Sequence, residues 1–440
     1  MNQGTSDSSA DVAIVGAGPA GMMAAIAAAQ RGARVILCDR LDRPGVKLLA
    51  TGGGRCNLTN TASPEAFMAT FGRQGRFMQP ALAAMDCPSL RAFFEALGVP
   101  THCPDAFHVY PSSDSASTVQ GALVRRCQEL NIDFRPRCGV TALRVQDDCV
   151  KGLEAGETCI AAPRVVLAAG GKSWPELGSD GSGFHLAAAA GHRIVQPLPA
   201  LVPLLARETW PRRCAGVSLP GARVWIDLPG QSRTGVTGDV LFTHTGVSAP
   251  AVLDMSGEVS ALLKRRSAVP IRIGLLPKPP RAQPAQAPRP TRIQASQAWG
   301  AVIDEWGHSQ GRRTVRALLG EHVPGAVAEA LCRLAGVPSE ARAAHLARPQ
   351  RDGLAGLLAG VPLTIVGTEG FARSMVTRGG VSLKEVSPHT LESRLVRGLF
   401  FAGEVLDLAG PCGGYNLQWA FSSGHLAGLS AGVHKPFGGA

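Results

Sequence analysis

Near its start the chain reads Asp11-Val12-Ala13-Ile14-Val15-Gly16-Ala17-Gly18-Pro19-Ala20-Gly21, and Asp39 stands eighteen residues after Gly21. Val12–Val15 is a short apolar, β-branched run of the kind a buried parallel strand requires. Gly16 permits a tight turn out of that strand. Gly18 lets a pyrophosphate approach the backbone, and Gly21 lets the next helix pack closely on the sheet. That helix is expected over 20–30, rich in Ala and Met, with its first N–H groups facing a diphosphate. Val35-Ile36-Leu37 forms a second strand and delivers Asp39 to the position of a ribose-hydroxyl acceptor. A bare Gly-x-Gly-x-x-Gly says little. Strand, loop, helix, second strand and terminal acid in register point to a bound dinucleotide.

Length and cysteine usage agree. With 440 residues, 45% of them hydrophobic, the chain can bury a large core in two or three domains. The first eleven residues are short and polar, unlike a signal peptide, and no run of about twenty apolar residues exists to span a membrane. The 11 Cys are scattered without a Cys-x-x-Cys or a zinc-spaced Cys/His cluster, so no metal site is expected. This usage fits a cytoplasmic protein. It argues against a flavin disulfide reductase, which needs two closely spaced cysteines.

The charge balance is less ordinary. Lys and Arg number 44 against 33 Asp and Glu, for a net charge of +11. Bases gather at Arg125-Arg126, Arg135 with Arg137, Arg212-Arg213, Lys264-Arg265-Arg266, and Arg312-Arg313 with Arg316. A polyanionic partner would use them; an Arg-rich solvated face would carry them without one. There is no run of repeated Arg-Gly-Gly triplets and no zinc knuckle, and aromatics are only 5%.

Farther along, short strands are expected at 139–145, 150–154 and 159–161, followed by Val165-Val166-Leu167-Ala168-Ala169-Gly170-Gly171, a buried strand ending in small residues. An Ala-rich helix is expected over 184–190. Beyond Pro197 the reading is of strands at 224–228, 239–243, 271–276 and 361–366. Between them fall a Pro/Ala/Gln-rich linker over 278–290 and helices over 296–306, 312–319, 326–334 and 339–347. Leu399-Phe400-Phe401-Ala402-Gly403-Glu404 is another buried strand ending in glycine and an acid. Two glycine-rich loops remain: Gly52-Gly53-Gly54-Arg55-Cys56-Asn57-Leu58-Thr59-Asn60, and Gly410-Pro411-Cys412-Gly413-Gly414-Tyr415-Asn416-Leu417-Gln418, the latter leading into a helix over 420–432. Each alone is an ordinary turn; with Glu404 they suggest the walls of a flavin site.

These motifs, with Gly178-Ser179-Asp180-Gly181, Phe242-Thr243-His244-Thr245-Gly246 and Val376-Thr377-Arg378-Gly379-Gly380, run nearly the length of the chain. In that order they resemble the YhiN/BaiN-type family of FAD-dependent oxidoreductases, an aminoacetone-oxidase-like branch of the two-dinucleotide-binding flavoproteins. Cys412 and the Pro-rich linker depart from the common pattern. The resemblance implies an α/β fold: a Rossmann-like FAD-binding domain split in sequence (1–196 and 376–440), an inserted β-rich domain (197–276 plus 348–375) and a linker with a small helical subdomain (277–347). The insertion, 197–366, is expected to form a substrate-side lid.

For the cofactor, the resemblance implies non-covalent FAD. Gly16, Ala17, Gly18, Pro19, Ala20 and Gly21 would hold the pyrophosphate, Asp39 and Arg40 the adenosine side, and Val140 the adenine through its backbone. Lys47, Gly54, Arg55, Cys56, Asn57, Ala169, Gly170, Gly171, Gly403, Glu404, Gly414, Asn416 and Leu417 would line the rest, with Glu404 on the ribitol. NADH or NADPH would supply electrons transiently, since no second Gly-x-Gly-x-x-Gly has a strand–helix context. Family members reduce carbon–carbon double bonds in steroid-like bile acid intermediates or in uridines of ribosomal RNA. In both, reduced flavin gives hydride from N5 and a protein acid gives the second proton. Cys56 and His244 are the candidate acids; the bland alternatives are a small side chain packed at the ring and a turn cap. The leading substrate is uridine in structured ribosomal RNA. A small enone reductase and an amine- or O₂-using flavin oxidase are the alternatives.

Overall fold

The computed structural model describes residues 8–232, 234–275 and 290–433. Its chain divides into two compact units, Met1–Pro199 with Ser374–Ala440, and Ala200–Arg373.

The first unit is built on a five-stranded, all-parallel sheet. Its order is Leu399–Phe401, Val165–Leu167, Val12–Val15, Val35–Cys38, Asp133–Arg135. All but the edge strand Asp133–Arg135 are apolar and buried throughout, as a sheet covered on both faces demands. Helix Pro19–Gln30 begins with proline in its first turn and is buried from Ala20 to Ala28. It lies against helix Tyr415–Ala431 at backbone contact distance: a Cβ on Gly424 or Gly428 would stand 2.3 Å from the carbonyl oxygens of Ala20 or Ala24. The expected small β-meander is present as Ala142–Gln146, Cys149–Ala155 and Thr158–Ala161, joined by the N-terminal Ser8–Ser9 in a four-stranded sheet. A further three-stranded sheet places His108–Pro111 between Thr59–Asn60 and Thr101–His102.

The second unit is a closed, six-stranded antiparallel barrel. Four strands answer the expected ones: Ser218–Ile226, Val236–Phe242, Val269–Gly274 and Val361–Thr368. Leu204–Ala206 and Gly246–Ser248, each only three residues long, close the ring and escaped the sequence reading. So did helix Pro250–Leu263, whose residues are buried on most sides and so lack a polar face to mark the period. The helices Arg292–Ser309, Val315–Leu319, Gly325–Leu334 and Arg348–Leu358 share one apolar core with the barrel, through Trp299, Trp306, Leu331, Leu354, Val269 and Ile365.

One expected helix is corrected. Over 339–347 the chain instead bridges to Thr314 and Arg313, Val315 N–H donating to Ala341 and Ala343 N–H to Arg313. That use of the backbone delays the helix to Arg348, where Pro349 and the Gln350 side chain, bonded to the Ala347 N–H, start it. The 278–290 stretch lies outside the described residues except for Pro290.

Candidate functional site

The glycine-rich turns gather at the carboxyl ends of the parallel strands, the edge at which such sheets bind ligands. Each glycine of the first turn does different work. A Cβ on Gly16 would stand 2.6 Å from the Ala168 carbonyl oxygen, and one on Gly21 only 1.8 Å from that of Gly16. These two set the turn against Ala168–Ala169 and the helix against the turn. Gly18 is the exception: nothing lies within 4 Å of where its Cβ would be. It is the N-cap of a helix whose start has no side-chain cap and no acid in the first turn, so Pro19 and Ala20 begin a helix with donors left for an anion.

Asp39 is anchored at the same turn. Its carboxylate accepts from the Ala17 N–H at 2.6 Å and the Leu41 N–H at 2.8 Å. Burial pushes its pKa above the ordinary value, against those donors and nearby Arg40. Arg40 is paired with Asp180 and donates to the Pro175 carbonyl at 3.2 Å. The segment holding Val140 runs alongside, since Cys138 and Arg137 donate their N–H groups to Asp39 and Leu41. Val140 itself is half-buried against the core.

Around Glu404 the structure builds a network. Oε2 lies 2.8 Å from Lys47 Nζ; Oε1 accepts from Ser173 Oγ and the Thr377 N–H, both at 2.7 Å. Lys47 also reaches Ser173 Oγ at 2.6 Å, and Thr377 Oγ1 accepts from the N–H of Lys172 and Ser173. Burial works to raise the Glu404 pKa, but Lys47, the Ser173 hydroxyl and the Thr377 N–H outweigh it and hold the carboxylate below its ordinary range. Gly171 belongs here for want of a side chain, because a Cβ would meet Thr377 Oγ1 at 2.4 Å and Glu404 Oε1 at 2.7 Å. Gly170 lies against Ser179, and Gly403 against Ala20. Ser173 and Thr377 were missed as site residues. The strings around them were visible, but only the fold brings the Ser173 hydroxyl and the Thr377 N–H to one carboxylate.

The two glycine loops meet. Asn60 Nδ2 donates to the Gly413 carbonyl at 2.8 Å. The Asn57 amide, oriented by its partners, donates to Thr59 and Val109 carbonyls and accepts from the Gly414 N–H at 3.1 Å. Asn416 closes its own loop through Gly410 and Pro411, and Leu417 packs on the core. Gly54 and Cys56 both take positive φ, so the loop turns sharply there. Cys56 is 0% exposed, and burial pushes its thiol up to about 12. Arg55 points outward, 4.2 Å over the Tyr110 ring and 3.3 Å from Asp114. His244 is in the other unit, on the exposed turn between Val236–Phe242 and Gly246–Ser248. Among the described residues there is no group of three or more His, Cys, Asp and Glu that would hold a metal ion, and no helix long and apolar enough to cross a membrane.

An uncapped helix start over an open glycine, a carboxylate at the end of the second strand and small residues at the neighbouring strand ends fit an FAD-binding Rossmann flavoprotein. The comparisons agree: the HI0933-like protein Rossmann domain matches residues 10–430, and the chain belongs to that family of FAD-dependent oxidoreductases. It is 33% identical over 427 residues to the 3-dehydro-bile acid delta(4,6)-reductase of Clostridium scindens, spanning 96% of this chain and 98% of that one. It is 30% identical over 422 residues to the ribosomal RNA dihydrouridine synthase of Escherichia coli, spanning 94% and 96%. Among solved structures, the 3-ketosteroid-delta4-(5alpha)-dehydrogenase of Rhodococcus jostii RHA1 shares the fold, with a TM-score of 0.51, 17% identity and 98% coverage of both chains.

Proposed function

We propose that the protein uses FAD and NADH or NADPH to reduce an activated carbon–carbon double bond, with uridine in ribosomal RNA as its leading substrate. The observation that carries the RNA half of this reading is where the charge sits. Ala200–Arg373 holds 21 Lys and Arg against 12 Asp and Glu, which is +9 of the chain's +11; the FAD-binding unit is nearly balanced. Arg212, Arg213, Lys264, Arg265, Arg266, Arg312 and Arg316 are all exposed there and make no ion pair among the described residues. Exposed cations without local partners are suited to phosphates. The relative named for ribosomal RNA supports the same reading; the one named for a bile acid favours a small conjugated enone instead.

In this reading Gly18 and the helix start receive the pyrophosphate and Asp39 the adenosine ribose. Lys47, Ser173, Thr377 and Glu404 form a preorganised polar wall, and Asn57 with Asn60 locks the two glycine loops together. Reduced FAD, when bound, supplies hydride. Uracil's C5=C6 bond is conjugated to a carbonyl, so hydride addition at C6 leaves C5 to be protonated by a protein acid, with Cys56 and His244 as the sequence candidates.

The test is dihydrouridine mapping of total ribosomal RNA from a strain lacking the gene and from the complemented strain. Loss of one or more dihydrouridines, restored by the gene, is the expected result. An unchanged map overturns the RNA assignment and moves the substrate to the small enones.

A further inference from the structure

We propose that His108, held in place by Asp105, is the proton donor that completes the reduction; this rests on reading the site as a flavin-dependent reductase. Asp105 lies in the turn that enters strand His108–Pro111, the middle strand of the three-stranded sheet, and His108 opens that strand. Asp105 Oδ1 accepts the backbone N–H groups of Phe107 at 3.1 Å and His108 at 2.8 Å. Its other oxygen lies 2.5 Å from His108 Nδ1. These three bonds hold the Asp105 carboxyl well below the usual carboxylate range, so it is an acceptor only. Nδ1 must therefore carry a proton, which fixes the ring and leaves Nε2 as the working nitrogen.

Nε2 faces the glycine loop. A Cβ built on Gly413 would stand 3.4 Å from it, and Gly413 is held to Asn60 within the pair of loops assigned to the flavin. The Phe107 ring stands edge-on to the imidazole at 5.0 Å, and the Tyr110 ring lies tilted at 6.3 Å. The chain's two tyrosines, Tyr110 and Tyr415, both belong to this aromatic group. The nearby charges are Arg55 over Tyr110, Asp114 bonded to Arg55, and His102 bonded to Asp114. The His108 side chain is 34% exposed, so it can regain a proton from water after each turnover. Cys56, with no exposure and a thiol pushed up to about 12, is a much poorer acid and has no such path.

The step balances simply. Hydride, carrying two electrons, bonds to the β-carbon and the C=C π bond breaks. Its electron pair passes to the α-carbon, stabilised as an enolate by the adjacent carbonyl. The imidazolium Nε2–H transfers its proton to the α-carbon, leaving neutral imidazole, which water reprotonates. A carboxylate that orients a histidine through Nδ1 and stabilises its cation is an established arrangement for such a transfer.

The experiment uses the full-length, FAD-loaded, prereduced protein under anaerobic conditions, mixed with unmodified ribosomal RNA transcripts and, separately, with cyclohexenone. For whichever acceptor reoxidises the parent protein, His108→Asn should slow reoxidation by roughly 10²- to 10⁴-fold. FAD affinity and the rate of flavin reduction by NAD(P)H should stay within about twofold. Free imidazole should rescue His108→Gly, and nitrogen NMR of the flavin-free protein should show a protonated Nδ1 that Asp105→Asn releases. Parent-like reoxidation by His108→Asn overturns the proposal. If neither acceptor reoxidises the parent protein, the reductase reading fails and the proposal falls with it.

Discussion

Lys47 and Glu404 stand 357 positions apart in sequence and 2.8 Å apart in the structure, each side chain about a fifth exposed, with Ser173 bonded to both. The ion pair is the hinge of the wall built at the strand ends. Removing Lys47 alone leaves a carboxylate with too few donors. Lys47→Met should cost about 2–3 kcal/mol, at the low end for a broken buried pair because water still reaches it. Lys47→Met with Glu404→Gln should recover part of that loss. The pH dependence follows from the direction of the Glu404 shift. A carboxyl whose folded pKa lies below its unfolded one stabilises fully above the ordinary carboxylate range and loses that contribution as pH falls through the folded value. Thermal unfolding of the parent and double variant should therefore differ most at neutral pH and converge in acid.

The three glycines of the first turn should separate folding from binding. Gly21→Ala places a methyl group 1.8 Å from the Gly16 carbonyl oxygen, and unfolding should show a loss of about 2–4 kcal/mol. Gly18→Ala has free space and a negative φ, so flavin-free stability should change by about 0.5 kcal/mol or less. Its FAD affinity should nevertheless fall at least about tenfold, roughly 1.4 kcal/mol, as calorimetry would measure. Unchanged FAD affinity in Gly18→Ala would remove the pyrophosphate from this turn.

What was legible in the sequence divides by distance along the chain. Gly16, Gly18, Gly21 and Asp39 fall within one strand–helix–strand unit, where local spacing fixes geometry, and the structure puts Asp39 on the Ala17 N–H. Ser173 and Thr377 are 204 positions apart and share one carboxylate. No periodicity reports such a meeting. The barrel strands Leu204–Ala206 and Gly246–Ser248 are too short to show alternation, and helix Pro250–Leu263 is too buried to show a polar stripe. The delayed helix start at Arg348 depended on a bridge to Thr314.

Thiol chemistry should discriminate between cysteines that composition cannot tell apart. The hydrogen bond from Cys38, with Arg135 nearby, lowers the half-buried Cys138 thiol against the effect of burial, whereas burial pushes Cys56 up to about 12. Near neutral pH the Cys56 thiolate fraction is about three thousandfold below that of an ordinary thiol with pKa about 8.5. Peptide mapping after brief iodoacetamide treatment should find Cys138 alkylated ahead of Cys56. Early labelling of Cys56 would show that its loop opens to solvent.

The charge excess of Ala200–Arg373 has a salt signature. If six to ten phosphates are contacted, binding of unmodified ribosomal RNA transcripts should weaken by about 10³–10⁵ between roughly 50 and 200 mM salt. Replacing Arg212 and Arg213 together by Gln should lower the log–log slope by about two without unfolding the barrel, since both side chains are exposed. A flat salt response would leave these arginines as a solvated face.

If reduced flavin in this protein hands hydride to a conjugated double bond, first of all in ribosomal RNA, flavin oxidation and dihydrouridine formation run together. Anaerobic mixing of the prereduced, FAD-loaded protein with unmodified ribosomal RNA transcripts tests it directly, following flavin absorbance and dihydrouridine formed in the same reaction. Reoxidation with one dihydrouridine formed per flavin, at defined uridines, is the expected result. Flavin that stays reduced with RNA and with cyclohexenone, yet is reoxidised by O₂ far faster than free reduced flavin, would contradict it and point to an oxidase.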